Sequence, residues 1–302
     1  MNPDDVMTQR DMRSRPTRGQ TSVDGQTTLC VLAGGSRGNA IYLASGRSAL
    51  LFDAGLSGRE IEKRMRQRGL DPGALSAIVV SHEHIDHVRG VGVLARRYNL
   101  PVFMTNDTAQ AAKSCIGPIP VHQPIESGRC FQVDGFTIHP FMVSHDAADP
   151  VGFTIATDGL RIGIATDLGV VTGLVAQCLQ DCHFLVLEAN HDERMLTDGP
   201  YPWPLKQRIR SRNGHLSNAA TAELLRSLAH NNLRQVILSH LSETNNTPAI
   251  ALETVRQCLG PDRRMRLAVA MQDRSSPVFR IDATAPRHAP PPSILRSDDQ
   301  SK

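Results

Sequence analysis

The segment 81–90, SHEHIDHVRG, constrains this chain more than any other stretch of its sequence. It places three histidines and an aspartate within six positions, directly after a short apolar run. Such side chains are costly beside a buried strand unless another group pairs with them. In an extended chain His82 and His84 point to the same side, and Asp86 and His87 follow where the chain should turn into a helix. Because imidazole and carboxylate are ligands of zinc and its neighbours in the transition series, the segment predicts a metal site at a strand end.

Three further candidate ligands also lie at the ends of apolar runs, namely His145, Asp167 and His240. Ligands at strand ends are held by a rigid scaffold and remain open to solvent and substrate. The seven candidates are enough for two ions: His82, His84 and His145 for the first, Asp86, His87 and His240 for the second, and Asp167 as a bridge. Each ion then keeps a position for a shared water, which is typical of a catalytic site. Two ions about 3.5–4 Å apart would activate that water as a bridging hydroxide, so the pattern predicts a dinuclear hydrolase.

Composition limits the other classes of protein that the chain could belong to. Its 302 residues are enough for one large α/β domain, and 40% hydrophobic with 21% charged residues is typical of a globular protein. The net charge of +3 does not indicate a nucleic-acid binder, so such a role has to come from local basic clusters.

No apolar run approaches the roughly 18 residues of a membrane span, and the N-terminal residues lack the apolar core of a secretory signal. The six cysteines are scattered, which favours reduced thiols and a cytoplasmic protein.

Apolar runs bounded by glycine, aspartate and proline predict strands, and amphipathic stretches predict helices. The predicted strands are Leu29–Ala33, Ala40–Leu43, Ala49–Asp53, Ala77–Val80, Val102–Met104, Cys130–Val133, Phe136–Val143, Gly152–Thr157, Arg161–Ala165, Phe184–Glu188, Gln235–Ser239 and Arg266–Ala270. The predicted helices are Gly58–Arg68, Val88–Tyr98, Asp107–Ser114, Asn218–Ala229 and Ala249–Leu259. Mixed strands followed by strand–helix units, in two halves, predict an α/β fold of two sheets with helices outside. The polar segment 1–26 and the proline-rich segment 284–302 are predicted to be disordered tails of one domain, 27–283.

The SHEHIDH segment after a strand, followed by a single His, Asp and His at later strand ends, resembles the metallo-β-lactamase superfamily. The resemblance covers nearly all of 28–270 and implies a four-layered αββα sandwich. The segments LAGGSRGNAIYL, LLFDAGLSGREIEKRM, LEANHDERML, GHLSN and LSHLSETNN further resemble the branch labelled YycJ or WalJ, whose members look like relatives of the phosphodiesterase tRNase Z. This resemblance implies a nuclease that acts on DNA as a 5′-to-3′ exonuclease.

The likeness to tRNase Z implies a catalytic role for two residues beyond the ligands. In that family an acidic residue after a strand and a Gly-His pair before a helix together protonate the leaving oxygen, and Glu188 and His215 stand in the matching order here. A histidine near its natural pKa can protonate the alkoxide that phosphodiester cleavage leaves. Asp86 is the third predicted catalytic residue. The alternative for His215 is a loop residue before Ser217, which would cap the next helix.

Five residues near these positions are predicted to bind the substrate: Asn190, His191, Lys206, Arg208 and Asn245. Lys206 and Arg208 belong to a basic stretch of the sequence. The aromatic residues of the same stretch, Tyr201 and Trp203, could stack on a base or line the cleft. The alternative is a solvated basic helix with one packed tryptophan.

The sequence therefore predicts a metal-dependent phosphodiesterase with two divalent ions, zinc or alternatively manganese, and DNA as its substrate. An alternative is a small-molecule hydrolase of the same fold, such as a thioesterase, a lactonase or a β-lactamase-like enzyme. Another alternative is a binding protein that uses the metal only for stability. We expect no association with a membrane, and either a monomer or a homodimer.

Overall fold

The computed structural model describes residues 26–229, 232–260 and 265–281. The strands in these residues are β1 (Thr27–Gly35), β2 (Gly38–Ser45), β3 (Ser48–Phe52), β4 (Leu75–Val79), β5 (Pro101–Met104), β6 (Val121–Pro124), β7 (Phe131–Val133), β8 (Phe136–Met142), β9 (Val151–Thr157), β10 (Leu160–Ala165), β11 (Phe184–Glu188), β12 (Gln235–Ser239), β13 (Arg266–Val269) and β14 (Phe279–Ile281). The α-helices are α1 (Gly58–Gln67), α2 (Ile85–Val88), α3 (Val91–Tyr98), α4 (Asn106–Ile116), α5 (Gly173–Leu179), α6 (Glu193–Asp198), α7 (Trp203–Arg210), α8 (Asn218–Leu228) and α9 (Pro248–Leu259). A short 3₁₀ helix, Pro72–Ala74, precedes β4.

Within the described residues the strands form two sheets of seven. The first sheet has the order β14-β1-β2-β3-β4-β5-β6, with antiparallel pairs from β14 to β3 and parallel pairs from β3 to β6. The second has the order β7-β8-β9-β10-β11-β12-β13, with antiparallel pairs from β7 to β10 and parallel pairs from β10 to β13. Each sheet thus combines an antiparallel half with a parallel half. In each parallel half the carboxyl ends of the strands lie along one edge.

Apolar side chains fill three layers, one between the sheets and one outside each sheet. Successive residues of β1 alternate between two of them: Leu29 and Val31 face the other sheet, whereas Cys30 and Leu32 face α1 and α3. Since both faces are buried, such strands appear in the sequence as continuous apolar runs. Helices α5, α8 and α9 cover the outer face of the second sheet. The predicted αββα sandwich is therefore confirmed.

The helices begin where the sequence offers a cap. Ser57 Oγ accepts a hydrogen bond from the amide of Glu60 at the start of α1, and Ser217 Oγ accepts one from the amide of Ala220 at the start of α8. These bonds satisfy amides that would otherwise lack a partner in the first turn. The predicted cap at Ser217 is therefore confirmed.

The structure differs from the predicted elements in one helix and in several short elements. The predicted helix Val88–Tyr98 is confirmed over Val91–Tyr98, which is α3, but it begins after Gly90, and the separate helix α2, which begins inside the histidine-rich segment, was not predicted. The amide of Gly90 donates to the carbonyl of Ala54, and a Cβ at this position would meet the carbonyl of Leu56, so the chain has to turn here. The sequence reasoning missed the short elements β6, β14, α5 and α6, and it considered a helix at the position of α7 only as an alternative. Elements with so few buried residues carry little hydrophobic periodicity.

The two predicted tails, 1–26 and 284–302, lie outside the described residues except for Gln26. Among the described residues, each helix is too short or too polar to cross a membrane.

Candidate metal centre

All seven predicted ligands follow the carboxyl ends of strands. His82, His84, Asp86 and His87 follow β4, while His145, Asp167 and His240 follow β8, β10 and β12. Strands β8, β10, β11 and β12 run in the same direction, so their carboxyl ends share one edge of the second sheet. This edge faces the segment after β4, and the fold therefore brings the seven side chains into one cluster.

The candidate ligand atoms form two adjacent triads of the expected composition. His82, His84 and His145 each place one ring nitrogen within 4.8 Å of the others, and so do the ligand atoms of Asp86, His87 and His240. In the first triad His84 Nδ1 lies 3.1 Å from His82 Nε2 and 3.3 Å from His145 Nε2. In the second triad Asp86 Oδ2 lies 3.5 Å from the Nε2 atoms of both His87 and His240.

Asp167 lies between the two triads. Its Oδ2 is 3.2 Å from His87 Nε2, and its Oδ1 is 3.8 Å from His145 Nε2 and 3.3 Å from His240 Nε2. Each carboxylate oxygen therefore lies close to a candidate ligand nitrogen. This position suits a bridging role.

The cluster fits a pair of divalent cations on the evidence of its own unpaired atoms. Asp167 Oδ2 and His240 Nε2 are buried and have no hydrogen-bond partner among the described residues. An unpaired buried polar atom costs about 1–3 kcal/mol, and more when it is charged. Because both atoms point into a set of nitrogen and carboxylate donors without sulfur, a cation of the zinc or manganese type would satisfy them.

Electrostatics favour a positive charge at the same place. Burial disfavours the charged form of His240, yet the neighbouring carboxylates of Asp167, Asp86 and Glu188 raise its pKa to about 10. Burial also opposes ionisation of Asp167, but the charges of His240 and His87 hold its pKa well below the usual range. By contrast, burial lowers the pKa of His82 and of His145. The carboxylates thus attract positive charge, and bound cations would replace the protons.

A second set of contacts orients the histidine rings. His87 Nδ1 donates to Asp53 Oδ2 at 2.8 Å, and His240 Nδ1 donates to Glu188 Oε1 at 2.8 Å. His145 Nδ1 donates to the carbonyl of Gly214 at 3.2 Å. Each of these rings therefore presents Nε2 to the cluster, as metal-binding histidines do when their other nitrogen is held.

Asp53 is a residue that the sequence reasoning missed as part of the site. It follows β3, it also accepts hydrogen bonds from the amide and the hydroxyl of Ser81 at 2.8 Å, and its φ is 57°. The strand-end rule that identified the ligands could have found it, because an aspartate ends the predicted strand Ala49–Asp53. Asp167 and His240 also have positive φ angles, 58° and 57°. Such a backbone is uncommon outside glycine and concentrates at functional sites.

His215 lies next to the cluster and is held by Glu188. Its Nδ1 is 2.7 Å from Glu188 Oε1, and its side chain is 23% exposed. Glu188 is fully buried and also accepts bonds from the amides of Leu168 and Leu216. Burial opposes the charge of Glu188, but His215 and His240 lower its pKa to about 2. The charge of Glu188 in turn raises the pKa of His215 against the effect of burial. His215 also precedes Ser217, the N-cap of α8. Its position therefore agrees with both interpretations from the sequence, a general acid and a loop residue before the cap.

The predicted substrate contacts occupy different surroundings. Asn190 and Arg208 line a cavity of about 220 Å³ together with His215. Lys206 Nζ instead donates to the carbonyl of Thr197 at 2.8 Å, at the carboxyl end of α6, where a cation is favourable. His191 and Asn245 are buried outside the lining of the cavity, and burial lowers the pKa of His191 to about 4.

Helix α7 corresponds to the basic helix of the alternative interpretation, but its tryptophan is not packed. Trp203 is 60% exposed, so the expectation of a packed tryptophan is wrong. Its neighbour Tyr201 lines the cavity.

Comparisons with known proteins give one consistent result. A model of the β-lactamase superfamily domain matches residues 49–241. The chain is 37% identical over 231 residues to exodeoxyribonuclease YycJ of Bacillus anthracis, which covers 76% of this chain and 88% of that protein. It is 38% identical over 229 residues to exodeoxyribonuclease WalJ of Streptococcus pneumoniae serotype 2, strain D39, which covers 74% of this chain and 85% of that protein.

Two solved structures share the fold. The metallo-β-lactamase fold protein YhfI of Bacillus subtilis has a TM-score of 0.67 at 14% identity and covers 85% of this chain and 100% of its own. The short form of human tRNase Z has a TM-score of 0.57 at 15% identity and covers 83% of this chain and 98% of its own. At such low identity the likeness shows the fold alone.

Proposed function

Because this chain belongs to the metallo-β-lactamase superfamily, we propose that it is a metal-dependent exodeoxyribonuclease that digests DNA from the 5′ end. The observation that carries the proposal is the pair formed by His215 and Glu188, 2.7 Å apart, beside a cluster of seven side chains of the types that bind metal ions. The pair supplies a proton donor at the place where a phosphodiester would be cut. The names of the two curated relatives support DNA as the substrate.

The seven ligands define where the metal ions would be held. His82, His84 and His145 would hold one ion, and Asp86, His87 and His240 the other. Asp167 would contact both. When bound, two such cations lower the pKa of a water and neutralise charge on the phosphoryl group. We propose zinc as the native metal, with manganese as the alternative.

His215 acts as the general acid in this proposal. Its Nδ1 hydrogen is held by Glu188, so Nε2 is the ring nitrogen that can donate to the leaving oxygen. The buried carboxylate stabilises the charged imidazole before the transfer and keeps the ring in one orientation. Such proton transfer contributes about 10²–10⁴ to a rate. Asp86 is the third proposed catalytic residue, and it would act as a ligand, because its Oδ2 lies 3.5 Å from the Nε2 atoms of both His87 and His240.

Substrate binding is assigned to the surface beside this pair. Arg208 is exposed and is held by Asp146, at 2.8 Å from Nε and 2.6 Å from Nη2 to the same oxygen. Asn190 lies deeper, at the bottom of the adjoining cavity. Roles for Lys206, His191 and Asn245 would be indirect, through the positions of α6 and of the loop after β11. The cytoplasmic location and the monomeric or homodimeric state stay predictions from the sequence.

A substrate panel tests the proposal. Metal-stripped protein is supplied with zinc or with manganese and is offered oligonucleotides labelled at either end, a thioester and a β-lactam. We expect digestion of the oligonucleotides from the 5′ end and no comparable turnover of the other two compounds. Faster hydrolysis of the thioester or the β-lactam would instead identify a small-molecule hydrolase.

A further inference from the structure

A cavity of about 220 Å³ adjoins His215 on the side of α7. Asn190, Gly214 and Ser242 are buried and form its floor, while Tyr201, Leu205 and Arg208 form part of its wall and rim. Its volume lies below the roughly 300–1,000 Å³ of pockets that enclose a drug-sized ligand. A single nucleotide is about as large as such a ligand, so the cavity can enclose part of one nucleotide, with the rest at its open rim, but not a run of nucleotides.

The floor carries polar groups with unused hydrogen-bonding capacity. Asn190 is 4% exposed, and its Nδ2 donates to the carbonyl of His240, which leaves Oδ1 as an acceptor. Ser242 is 8% exposed, and its Oγ accepts from the amides of Thr244 and Asn245, which leaves the hydroxyl hydrogen as a donor. A buried donor and a buried acceptor side by side favour a ligand that offers both kinds of group.

The walls add the other features of a nucleotide site. Leu205 and Ile209 are apolar, and the half-buried ring of Tyr201 offers a surface on which a base can stack. Arg208 lies at the rim, where its Nε and Nη2 contact Asp146, and its guanidinium group can still offer its other N–H groups to phosphate oxygens. A nucleobase has flat apolar faces and an edge with donors and acceptors, and the nucleotide adds one phosphate. The chemistry of the cavity thus fits a single nucleotide.

The position of the acid defines which nucleotide this is. His215 lines the cavity. A nucleotide bound there would therefore carry the leaving oxygen that His215 protonates. We infer that the cavity binds the 5′-terminal nucleotide of the DNA as the leaving group, an inference that rests on the proposed function. Water adds its oxygen to the phosphorus of the second nucleotide, the bond from phosphorus to O3′ of the first nucleotide breaks, and His215 protonates that O3′. One nucleotide with a free 3′ hydroxyl leaves, and the shortened strand keeps a 5′ phosphate.

A variant that fills the cavity tests this assignment. Leu205→Trp adds bulk to the wall, whereas Gln207→Trp adds the same side chain on α7 at an exposed position outside the cavity. We expect Leu205→Trp to slow digestion of a single-stranded oligonucleotide by at least about tenfold and to weaken binding of deoxythymidine 5′-monophosphate to the metal-loaded protein by a similar factor. Metal content should stay at the wild-type value, and Gln207→Trp should change neither quantity. Tyr201→Ala, which removes a wall without adding bulk, should weaken the same binding.

Two further readouts concern the wild-type protein. A fluorescein group on the 5′ end should slow digestion by at least about tenfold, because the enlarged end no longer fits the cavity. The shortened strands should carry a 5′ phosphate. Equal rates and equal nucleotide affinities for wild type, Leu205→Trp and Tyr201→Ala would overturn the cavity assignment and leave the nuclease activity intact. If wild-type protein digests no DNA with either metal, the proposed function fails and the cavity assignment fails with it.

Discussion

The two sheets supply their proposed metal ligands in different ways. The first sheet contributes four ligands from one segment of six residues after β4. The second contributes one ligand from each of three strands, β8, β10 and β12, and the acid partner Glu188 from β11. The first set lies in one short segment of the chain and needs only the turn into α2 to bring its side chains together. The second set meets only because four strands of one sheet end at the same edge.

The backbone at the two sets differs as well. Among the seven ligands only Asp167 and His240, both from the second sheet, have a positive φ, at 58° and 57°. This conformation costs a residue other than glycine about 1–3 kcal/mol unless its surroundings support it. The local set therefore has no positive φ at its own ligands, although His87 relies on Asp53 after β3, whereas two of the three ligands of the distributed set lie at strand ends with a positive φ.

The largest expected effect comes from the residue that joins the two sets. Asp167→Asn keeps the shape of the side chain, and asparagine tolerates the positive φ, but the substitution removes the charge that contacts both triads. We expect bound metal to fall below one ion per chain. Activity should fall by more than about 10⁴-fold, which is the upper end of the loss expected when a general acid is removed. Metal analysis and turnover of an oligonucleotide check this. His82→Ala, which affects one triad, should retain one ion; two ions in Asp167→Asn would contradict the bridging position.

A smaller loss of activity is expected for His215, the proposed general acid, because it is not one of the seven proposed ligands. His215→Ala should lower turnover of DNA by about 10²–10⁴ and leave the metal content unchanged. A diester with a p-nitrophenolate leaving group should lose much less, because nitrophenolate leaves without a proton. The comparison of the two substrates is the measurement. Loss of metal from this variant would instead make His215 a ligand, which its place within 4.8 Å of Asp167 and His240 allows.

The difference between the sheets also explains what the sequence could predict. The segment SHEHIDH was readable because its donor groups are neighbours in the chain, and His145, Asp167 and His240 followed from the rule that ligands lie at strand ends. The carbonyl of Gly214, which orients His145, has no signature because every residue carries a carbonyl. The contact of Lys206 with the carbonyl of Thr197 depends on how α7 packs against α6, and both helices are too short to show a period. The lining of the cavity comes from five separate segments, so no single stretch of the sequence indicates it.

The third prediction concerns support for the local set. Asp53→Asn removes the carboxylate that holds His87 Nδ1, and asparagine again tolerates the positive φ of 57°. Loss of such an orienting partner costs about 10–100-fold in metal affinity or activity. Competition for zinc with a chelator measures the affinity, and Asp107→Asn at an exposed position of α4 is the control. If the affinity of Asp53→Asn equals that of the control, the local set needs no support from β3.

The smallest effect separates stability from function in the two halves. Ser57 caps α1 under the first sheet, and Ser217 caps α8 two residues after His215. Replacing either cap by alanine should cost about 1 kcal/mol of unfolding free energy, because each leaves one amide of the first helical turn without its partner. Only Ser217→Ala should also lower kcat/KM, by up to about tenfold, since the start of α8 fixes the backbone that carries His215. Urea unfolding and oligonucleotide digestion of both variants measure the two quantities. If Ser57→Ala and Ser217→Ala lowered kcat/KM equally, the residues that the second sheet supplies would be no more sensitive to a loosened helix than those that follow β4.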